Sequence, residues 1–299
     1  MATGIDLSSN PDCMAFNMSG GGFVIVSVVD DDNPVIGYNI VGQLSRQTVS
    51  PTLVALLDNY KKPVSGLKKD RREKALADRP SEVAPLLGDI AWAQNYPFNI
   101  LTPEIDGCHC PTGCVATGMA QVMRYYKYPE RGTGENSYRW NDRTLSVDFS
   151  KSIYDWDLMS PVYNMIPSGD APTAGESAVA TLMRDAGYSV DMQYGPEQSG
   201  GGDALVALVE HFGYDRSVRG LWKRDVKDAV YKDVIRGEIA QGRPVFFSSG
   251  MHFYICDGYD ANGMFHFNYG WGGDGNGFFD VDAFSPDDLE TSIQYGVQP

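Results

Sequence analysis

The first sixty residues carry the hydrophobic pattern of short strands. Apolar side chains alternate at Met14, Phe16 and Met18, and an apolar, β-branched run extends from 23 to 29. Glycines at 20–22 and a polar turn at 30–34 separate these stretches from a third one at 35–41. Alternation bounded by glycine and aspartate is typical of strands joined by turns, so the pattern predicts a small antiparallel meander.

A helix is predicted directly after this meander. Leu53, Leu56 and Leu57 fall on one face of the segment 49–60, which begins near Ser50-Pro51. The meander and one short helix are too small to form a complete domain alone.

The rest of the chain changes from helical to strand-like periodicity. Val115, Met119, Val122 and Met123 recur at spacings of three and four, which predicts a buried helix that begins at or just before Cys114. Further helices are predicted over 177–186, 202–212 and 226–239. Short strands divided by Gly/Asp turns are predicted over 244–247, 252–256, 264–268 and 277–281. Helices first and strands last indicate an α+β fold.

Length and charge divide the chain into two domains. The 299 residues suffice for about two domains, and no window resembles a membrane span or a signal peptide. The first 79 residues hold nine acids and nine bases, which leaves 30 of the 39 acids against 15 of the 24 bases in the remainder. Because so acidic a body repels a phosphate backbone, nucleic acid is excluded as a partner.

A basic segment marks the boundary between the two domains. Eight of the nine N-terminal bases lie within residues 61–79, around Pro63, Gly66 and Pro80. This composition predicts an exposed, protease-sensitive linker, with a solvated helix over 68–76 as the alternative. Both interpretations place a domain boundary here.

Cys114 is the strongest candidate for chemistry. At the first turn of a helix, unpaired N–H groups and the helix dipole stabilise a thiolate, although a buried, inert cysteine stays open as the alternative. His252 begins a predicted strand after the turn at Gly250 and is a candidate base. Asn268 on the next strand can orient the His252 ring through a hydrogen bond. Trp271 either shields that hydrogen bond from water or is only a packed aromatic. His211 is expected to be a surface cap, while His109 and His266 stay open as partners.

Other site chemistries find less support in the spacing. Cys108, His109, Cys110 and Cys114 are metal-ligand types, but two alternate residues without a distant second pair do not match a zinc knuckle. The segment 274–277 lacks the twelve-residue calcium pattern and is predicted to be a plain turn. The chain contains no serine-hydrolase elbow or P-loop.

Several motifs together resemble the streptopain family of papain-like cysteine peptidases. They are Thr112-Gly113-Cys114-Val115-Ala116-Thr117, Ala120-Gln121-Val122-Met123, Tyr128-Pro129, Asp191 to Pro196, His252, Asp257-Gly258 and Asn268 to Gly273. The segments 15–27 and 36–38 resemble that family's propeptide, and 97–103 resembles the start of its mature enzyme.

The resemblance implies a two-lobed papain-like fold, with a helical lobe and an antiparallel sheet lobe, preceded by a small α+β prodomain. It implies Cys114 as nucleophile, His252 as general base and acid, and Asn268 with the Trp271 neighbourhood as the orienting group. It further implies substrate-backbone contacts near Ser199-Gly200 and at Met251.

The oxyanion hole departs from the usual papain-like pattern. The backbone N–H of Cys114 is the first expected donor. Cys108 stands where such enzymes usually have a donating glutamine, so His109 is the candidate second donor. Tyr269 and Met251 replace the tryptophan and glycine of the streptococcal member, which affects the specificity pocket.

The sequence is thus interpreted as the zymogen of a secreted bacterial cysteine endopeptidase. Residues 1–82 are expected to form an inhibitory propeptide with the basic linker, and residues 83–299 the catalytic domain. Protein or peptide substrates and the propeptide itself are the expected partners. The protein is expected to be secreted, periplasmic or at the cell surface. No cofactor is needed. A papain-like amidase or acyl transferase, or a catalytically silent binding protein, are the alternatives.

Overall fold

The computed structural model of the chain contains an N-terminal unit, residues 3–60, and a larger C-terminal body, residues 79–299. The described residues are 3–29, 34–47, 49–58, 60, 79–249, 252–281 and 291–299. Most of the predicted linker, the alternative helix over 68–76, and Met251 lie outside them.

The N-terminal unit is an antiparallel meander followed by a helix, as predicted. Its elements are β1 (Thr3–Ile5), β2 (Cys13–Asn17), β3 (Phe23–Ser27), β4 (Val35–Asn39) and α1 (Pro51–Asp58). β3 shows why the pattern was informative: Phe23, Ile25 and Ser27 are buried, while the residues between them are only half-buried. The sequence pattern missed β1, the short strand that pairs with β2.

Two hairpins in the body are small sheets of their own. They are formed by β5 (Glu104–Ile105) with β6 (Cys108–His109) and by β7 (Glu135–Trp140) with β8 (Arg143–Asp148). Neither hairpin was predicted, because most of their residues are polar and partly exposed.

Four α-helices of the body were predicted with small errors at their ends. They are α2 (Cys114–Tyr126), α3 (Ala174–Ser189), α4 (Ala204–Phe212) and α5 (Asp228–Ala240). α2 is buried from Val115 to Met123, and its small residues let it pack closely against α3 and α4 on one side and the main sheet on the other. α3 begins with a capping box between Thr173 and Glu176.

Over the described residues, the main sheet of the body has six strands. They are β9 (Arg219–Trp222), β10 (Val245–Ser249), β11 (His252–Tyr259), β12 (Phe265–Asn268), β13 (Gly277–Phe279) and β14 (Ser292–Tyr295). Together with the N-terminal meander they form one antiparallel ten-stranded sheet, in the order β1-β2-β3-β4-β13-β12-β11-β10-β14-β9.

The N-terminal unit joins this sheet through β4 and β13. Tyr38 pairs with Phe278 and Gly37 pairs with Phe279. A Cβ atom at Gly37 would collide with the Phe279 ring, so the close approach of the two strands requires glycine at this position. Leu53 and Ile25 belong to the same buried cluster as Phe265 and Phe279. The N-terminal unit thus shares a hydrophobic core with the body, which agrees with the expectation that it is too small to form a complete domain.

Candidate active site

Cys114 is the first residue of α2, as the sequence predicted. The preceding Gly113 has a φ of 88°, a conformation that glycine adopts without strain. A Cβ atom there would lie 2.6 Å from the sulfur of Met192 and 3.0 Å from the carbonyl oxygen of Ser199. This crowded turn fixes where the helix begins and therefore where the thiol lies.

The thiol of Cys114 is neutral in this arrangement. Burial raises its pKa, while hydrogen bonds from the backbone N–H groups of Phe253, Val115 and Cys114 itself act in the opposite direction. The start of β11 therefore reaches the thiol through the N–H of Phe253, the residue next to His252.

His252 begins β11 and is held by a carbonyl group. Its Nε2 lies 2.9 Å from the carbonyl oxygen of Tyr269. A carbonyl oxygen only accepts, so Nε2 carries the proton of the neutral ring. Burial lowers the pKa of His252 to about 4, although the bond to Tyr269 opposes this shift.

Cys114 and His252 are not paired in this form. Within the described part of the chain, the hydrogen bonds and charge contacts of Cys114 do not include His252, nor do those of His252 include Cys114. A cysteine that is activated by a histidine needs a thiolate beside an imidazolium, and here both groups are neutral. In this form the two side chains are therefore not an activated pair.

Asn268 directly precedes Tyr269, the residue that holds the imidazole, and its own side chain bonds elsewhere. Its Nδ2 donates to the carbonyl of Ile90 at 2.9 Å, and its Oδ1 accepts from the N–H of Gly270 at 3.0 Å and from Nε2 of Gln121 at 3.3 Å. The imidazole is bonded instead to the carbonyl of the adjacent Tyr269. The orienting role of Asn268 therefore stays a prediction for the active form.

Trp271 lies beside the imidazole, as predicted for a shielding group. The two ring centroids are 6.2 Å apart, with an angle of 30° between the planes. Its indole N–H is buried and finds no hydrogen-bond partner among the residues that the structure describes. Its shielding role stays a prediction.

Ser199, one of the predicted substrate-contact residues, lies beside the turn at Gly113 that leads into Cys114. Ser199 is buried, and its hydroxyl donates to the carbonyl of Pro111 at 2.7 Å. Gly200 is exposed and exchanges two backbone hydrogen bonds with Gln193, at 2.8 and 3.2 Å. The third predicted contact, Met251, lies outside the described residues.

His109, the predicted second oxyanion donor, is engaged away from the thiol. Its Nδ1 lies 2.8 Å from the carbonyl of Thr102, and its Nε2 lies 3.3 Å from the carboxylate of Glu104. Gln94 was missed by the sequence analysis. It is buried, and its carbonyl accepts the N–H of Thr112 at 2.9 Å, beside the chain that leads into Cys114. Its carboxamide is a type of donor that oxyanion holes use.

The segment considered for zinc holds its cysteines in different environments. Cys108 is exposed and Cys110 is fully buried. In the described ranges, no three metal-ligand side chains come together.

A hydrogen-bond relay, which no sequence pattern indicated, connects the N-terminal unit to His252. Asn39 at the end of β4 donates to the carbonyl of Asn276 at 2.6 Å. The side-chain oxygen of Asn276 accepts the N–H of Tyr269 at 3.0 Å, and the carbonyl of Tyr269 holds His252. α1 supports the same loop, because Leu53 lies against Gly275.

Comparison with known proteins places this site in a family. A sequence profile of the peptidase C10 family matches residues 92–279, and one of the Spi protease inhibitor family matches residues 1–64. The chain belongs to the peptidase C10 family. Streptopain of Streptococcus pyogenes is 32% identical over 311 residues, which cover 95% of this chain and 77% of streptopain. The thiol protease/hemagglutinin PrtT of Porphyromonas gingivalis is 36% identical over 302 residues, or 92% of this chain, but the chain spans only 34% of PrtT.

Solved structures of the same kind share the fold. A fragment of Prevotella intermedia prointerpain A matches with a TM-score of 0.83 at 27% identity, over 100% of this chain and 99% of that one. The active interpain A cysteine protease of the same organism matches with a TM-score of 0.67 at 32% identity, over 75% of this chain and 98% of that one. The expected α+β fold and the activity class of a cysteine endopeptidase are confirmed. Over the described residues, no helix is both long and apolar enough to cross a bilayer.

Proposed function

We propose that the chain is a secreted cysteine endopeptidase zymogen in which Cys114 and His252 carry the reaction and the N-terminal unit keeps them apart. The observation that carries the proposal is the helix-start cysteine beside the beginning of β11, with its imidazole held by the Tyr269 carbonyl rather than by the thiol. Residues 83–299 are the catalytic domain, and proteins and peptides are its substrates.

In the active form, His252 removes the Cys114 proton and the thiolate attacks the scissile carbonyl carbon. The resulting oxyanion is held by the N–H of Cys114 and a second donor. His252 then protonates the leaving amine. In the second half of the reaction it activates a water molecule that hydrolyses the acyl-enzyme and regenerates the thiol. The thiol must be reduced for the first step, because an oxidised sulfur cannot attack.

Inhibition by the N-terminal unit follows from the relay. Asn39 and Leu53 support the loop that contains Asn276 and Gly275, and this loop presents the Tyr269 carbonyl to His252. The match of residues 1–64 to a protease-inhibitor family supports the same role. Cleavage in the basic segment, between about residues 74 and 84, would release the unit and free the imidazole without new chemistry.

The boundary at residue 82/83 is supported by the contacts of the chain that follows the linker. Val83 exchanges two backbone hydrogen bonds with Tyr259 in β11, at 2.8 and 3.0 Å. Arg79 already contacts the body, because its guanidinium donates to the carboxylate of Asp233 in α5 at 2.7 Å. The product of processing therefore begins close to the point where the chain attaches to the body.

The proposal is tested by incubating the purified chain with casein, with and without a thiol reductant, followed by mass spectrometry of the enzyme. We expect reductant-dependent cleavage and shortening of the chain. Cys114→Ala and His252→Ala should each lower cleavage by at least about 10⁴-fold, because residues that act as a unit fail together. The matched control is His211→Ala, since that ring lies against Phe149 away from the dyad. Undiminished proteolysis by Cys114→Ala would end the proposal.

A further inference from the structure

Gln121 connects the helix of the nucleophile to the predicted orienting residue. It lies on α2 seven residues after Cys114, about two helical turns, and its side chain is fully buried. Its Oε1 accepts the backbone N–H of Trp92 at 3.2 Å, and its Nε2 lies 3.3 Å from Oδ1 of Asn268. One carboxamide thus bridges α2, the segment at residue 92 and the end of β12.

The orientation of both carboxamides follows from their backbone partners. The N–H of Trp92 can only donate, so the atom of Gln121 that faces it is the oxygen and the NH2 group faces Asn268. The N–H of Gly270 likewise requires Oδ1 of Asn268 on its side, and the carbonyl of Ile90 requires Nδ2. The donor of Gln121 therefore meets the acceptor of Asn268, and every partner agrees with this assignment.

We propose that Gln121 is a positioning residue that keeps the side-chain oxygen of Asn268 turned toward the imidazole site. The inference rests on the proposed function, in which Asn268 accepts the N–H of His252. In this structure that N–H is bonded to the carbonyl of Tyr269, the residue directly after Asn268. On activation, the N–H of the ring changes its acceptor from the carbonyl of Tyr269 to Oδ1 of the neighbouring Asn268. This exchange requires that Oδ1 faces the ring. Rotation of the amide would present NH2 to N–H and lose the bond.

Gln121→Glu is the sharpest test because it changes one side of the bridge. The glutamate keeps an oxygen for the N–H of Trp92, but its other oxygen can donate to Asn268 only when protonated. We expect kcat/KM of the processed enzyme on a fluorogenic peptide to fall about 10–100-fold at neutral pH, the cost of a misplaced reacting group, with KM nearly unchanged. The loss should shrink as the pH falls, and the alkaline limb of the pH profile should move to lower pH.

Tyr154→Phe is the matched control. It removes another buried side-chain hydrogen bond, from the Tyr154 hydroxyl to the Asp185 carboxylate at 2.9 Å, at a site away from the dyad. Its pH profile should equal that of the wild type. All variants are produced as the full chain and processed by a trace of wild-type enzyme that is then removed, and active sites are counted by titration with an irreversible thiol inhibitor.

A double-mutant cycle decides whether Gln121 acts through Asn268. In the Asn268→Ala background, Gln121→Glu should lower kcat/KM by less than about threefold, because the two effects share one route. Equal losses in both backgrounds, or a wild-type rate and pH profile for Gln121→Glu, would overturn the inference. If the glutamate variant fails to fold, Gln121→Met is put through the same cycle with the same criteria. An inactive wild type, or an active Cys114→Ala, would instead overturn the proposed function.

Discussion

The two halves of the dyad are held in different ways. Cys114 is fixed by its own helix and by the turn at Gly113, which packs against Met192 and Ser199 within the body. His252 is held by Tyr269, which depends on Asn276, which in turn depends on Asn39 in the N-terminal unit. The contacts of Cys114 thus lie within the body, whereas those of His252 lead through one link, between Asn276 and Asn39, 237 positions apart in sequence, into the N-terminal unit.

The difference shows which half of the site can be switched. A helix start is built into the fold and survives loss of the N-terminal unit, because its supporting contacts lie in the body. Under the proposed function, the position of the imidazole would not survive, because one end of the relay leaves with that unit. Activation would then require movement of the His252 ring and no change at Cys114.

Locking the N-terminal unit in place should change the rate of proteolysis more than the other variants described below. A full-length chain made uncleavable by substitution of the bases in 61–79 should digest casein at about a thousandth of the rate of the processed form. This estimate takes an attached inhibitor at about millimolar effective concentration and micromolar intrinsic affinity. Equal rates for the locked and shortened chains would show that the unit is not inhibitory.

Asn268→Ala tests how the His252 ring is oriented in the processed enzyme. Loss of a group that only orients the ring should reduce kcat by about 10–1000-fold and leave measurable activity, less than the loss for the nucleophile. Rates are measured on a peptide substrate after active-site titration. An unchanged rate would transfer the orienting role to Trp271 or to a backbone carbonyl.

The lowered pKa of His252 makes the resting form sensitive to acid. At a folded pKa of about 4 against the ordinary 6.5, the unfolded chain binds the proton first, so this contribution to stability is complete above pH 6.5 and is lost as the pH falls toward 4. The loss should be on the order of 2 kcal/mol in the free energy of unfolding. Urea unfolding of full-length Cys114→Ala at pH 7 and 4.5 measures it.

The matched variant for this measurement is Cys114→Ala combined with His252→Ala. Because all other titrating groups are shared, the difference between the two pH slopes isolates the imidazole. Identical slopes would mean that His252 is not buried as a neutral ring in the full-length chain.

Asn39→Ala tests the relay itself and should have the smallest effect. Loss of one hydrogen bond costs about 1 kcal/mol, so alkylation of Cys114 by iodoacetamide and self-processing should each become about fivefold faster in the full-length chain. Tyr38→Phe is the control, since it removes the bond from the Tyr38 hydroxyl to Asp260 at the same strand pairing but outside the relay. If both variants accelerate the two reactions equally, the effect comes from weaker attachment of the N-terminal unit in general and not from the relay.

Local periodicity was enough to predict the elements that carry Cys114 and His252. The start of α2 at Cys114 and the strand that begins at His252 follow from short-range patterns. The hairpin of β7 and β8 also carried a usable signal, a two-residue Asn141-Asp142 connection with Asn141 at a φ of 51°. It was missed because its strands are polar.

The pairing of β4 with β13 has no counterpart in local pattern. Its partners, Gly37 and Phe279, are separated by most of the chain, and only the folded core decides that they meet. The same reason hid the relay from Asn39 and the bridge from Gln121. Hydrogen bonds between distant side chains depend on tertiary packing, which periodicity does not encode.

The short contact between the N-terminal unit and the body has a consequence for the life of the processed enzyme. Among the described residues, the ladder between β4 and β13 has two residue pairs, and β13 itself is three residues long. When the unit departs, it uncovers an unpaired sheet edge, the kind of surface on which stray strands assemble. An edge this short offers few unpaired backbone groups to a strand of another molecule. The processed enzyme can therefore lose β4 without becoming a template for aggregation.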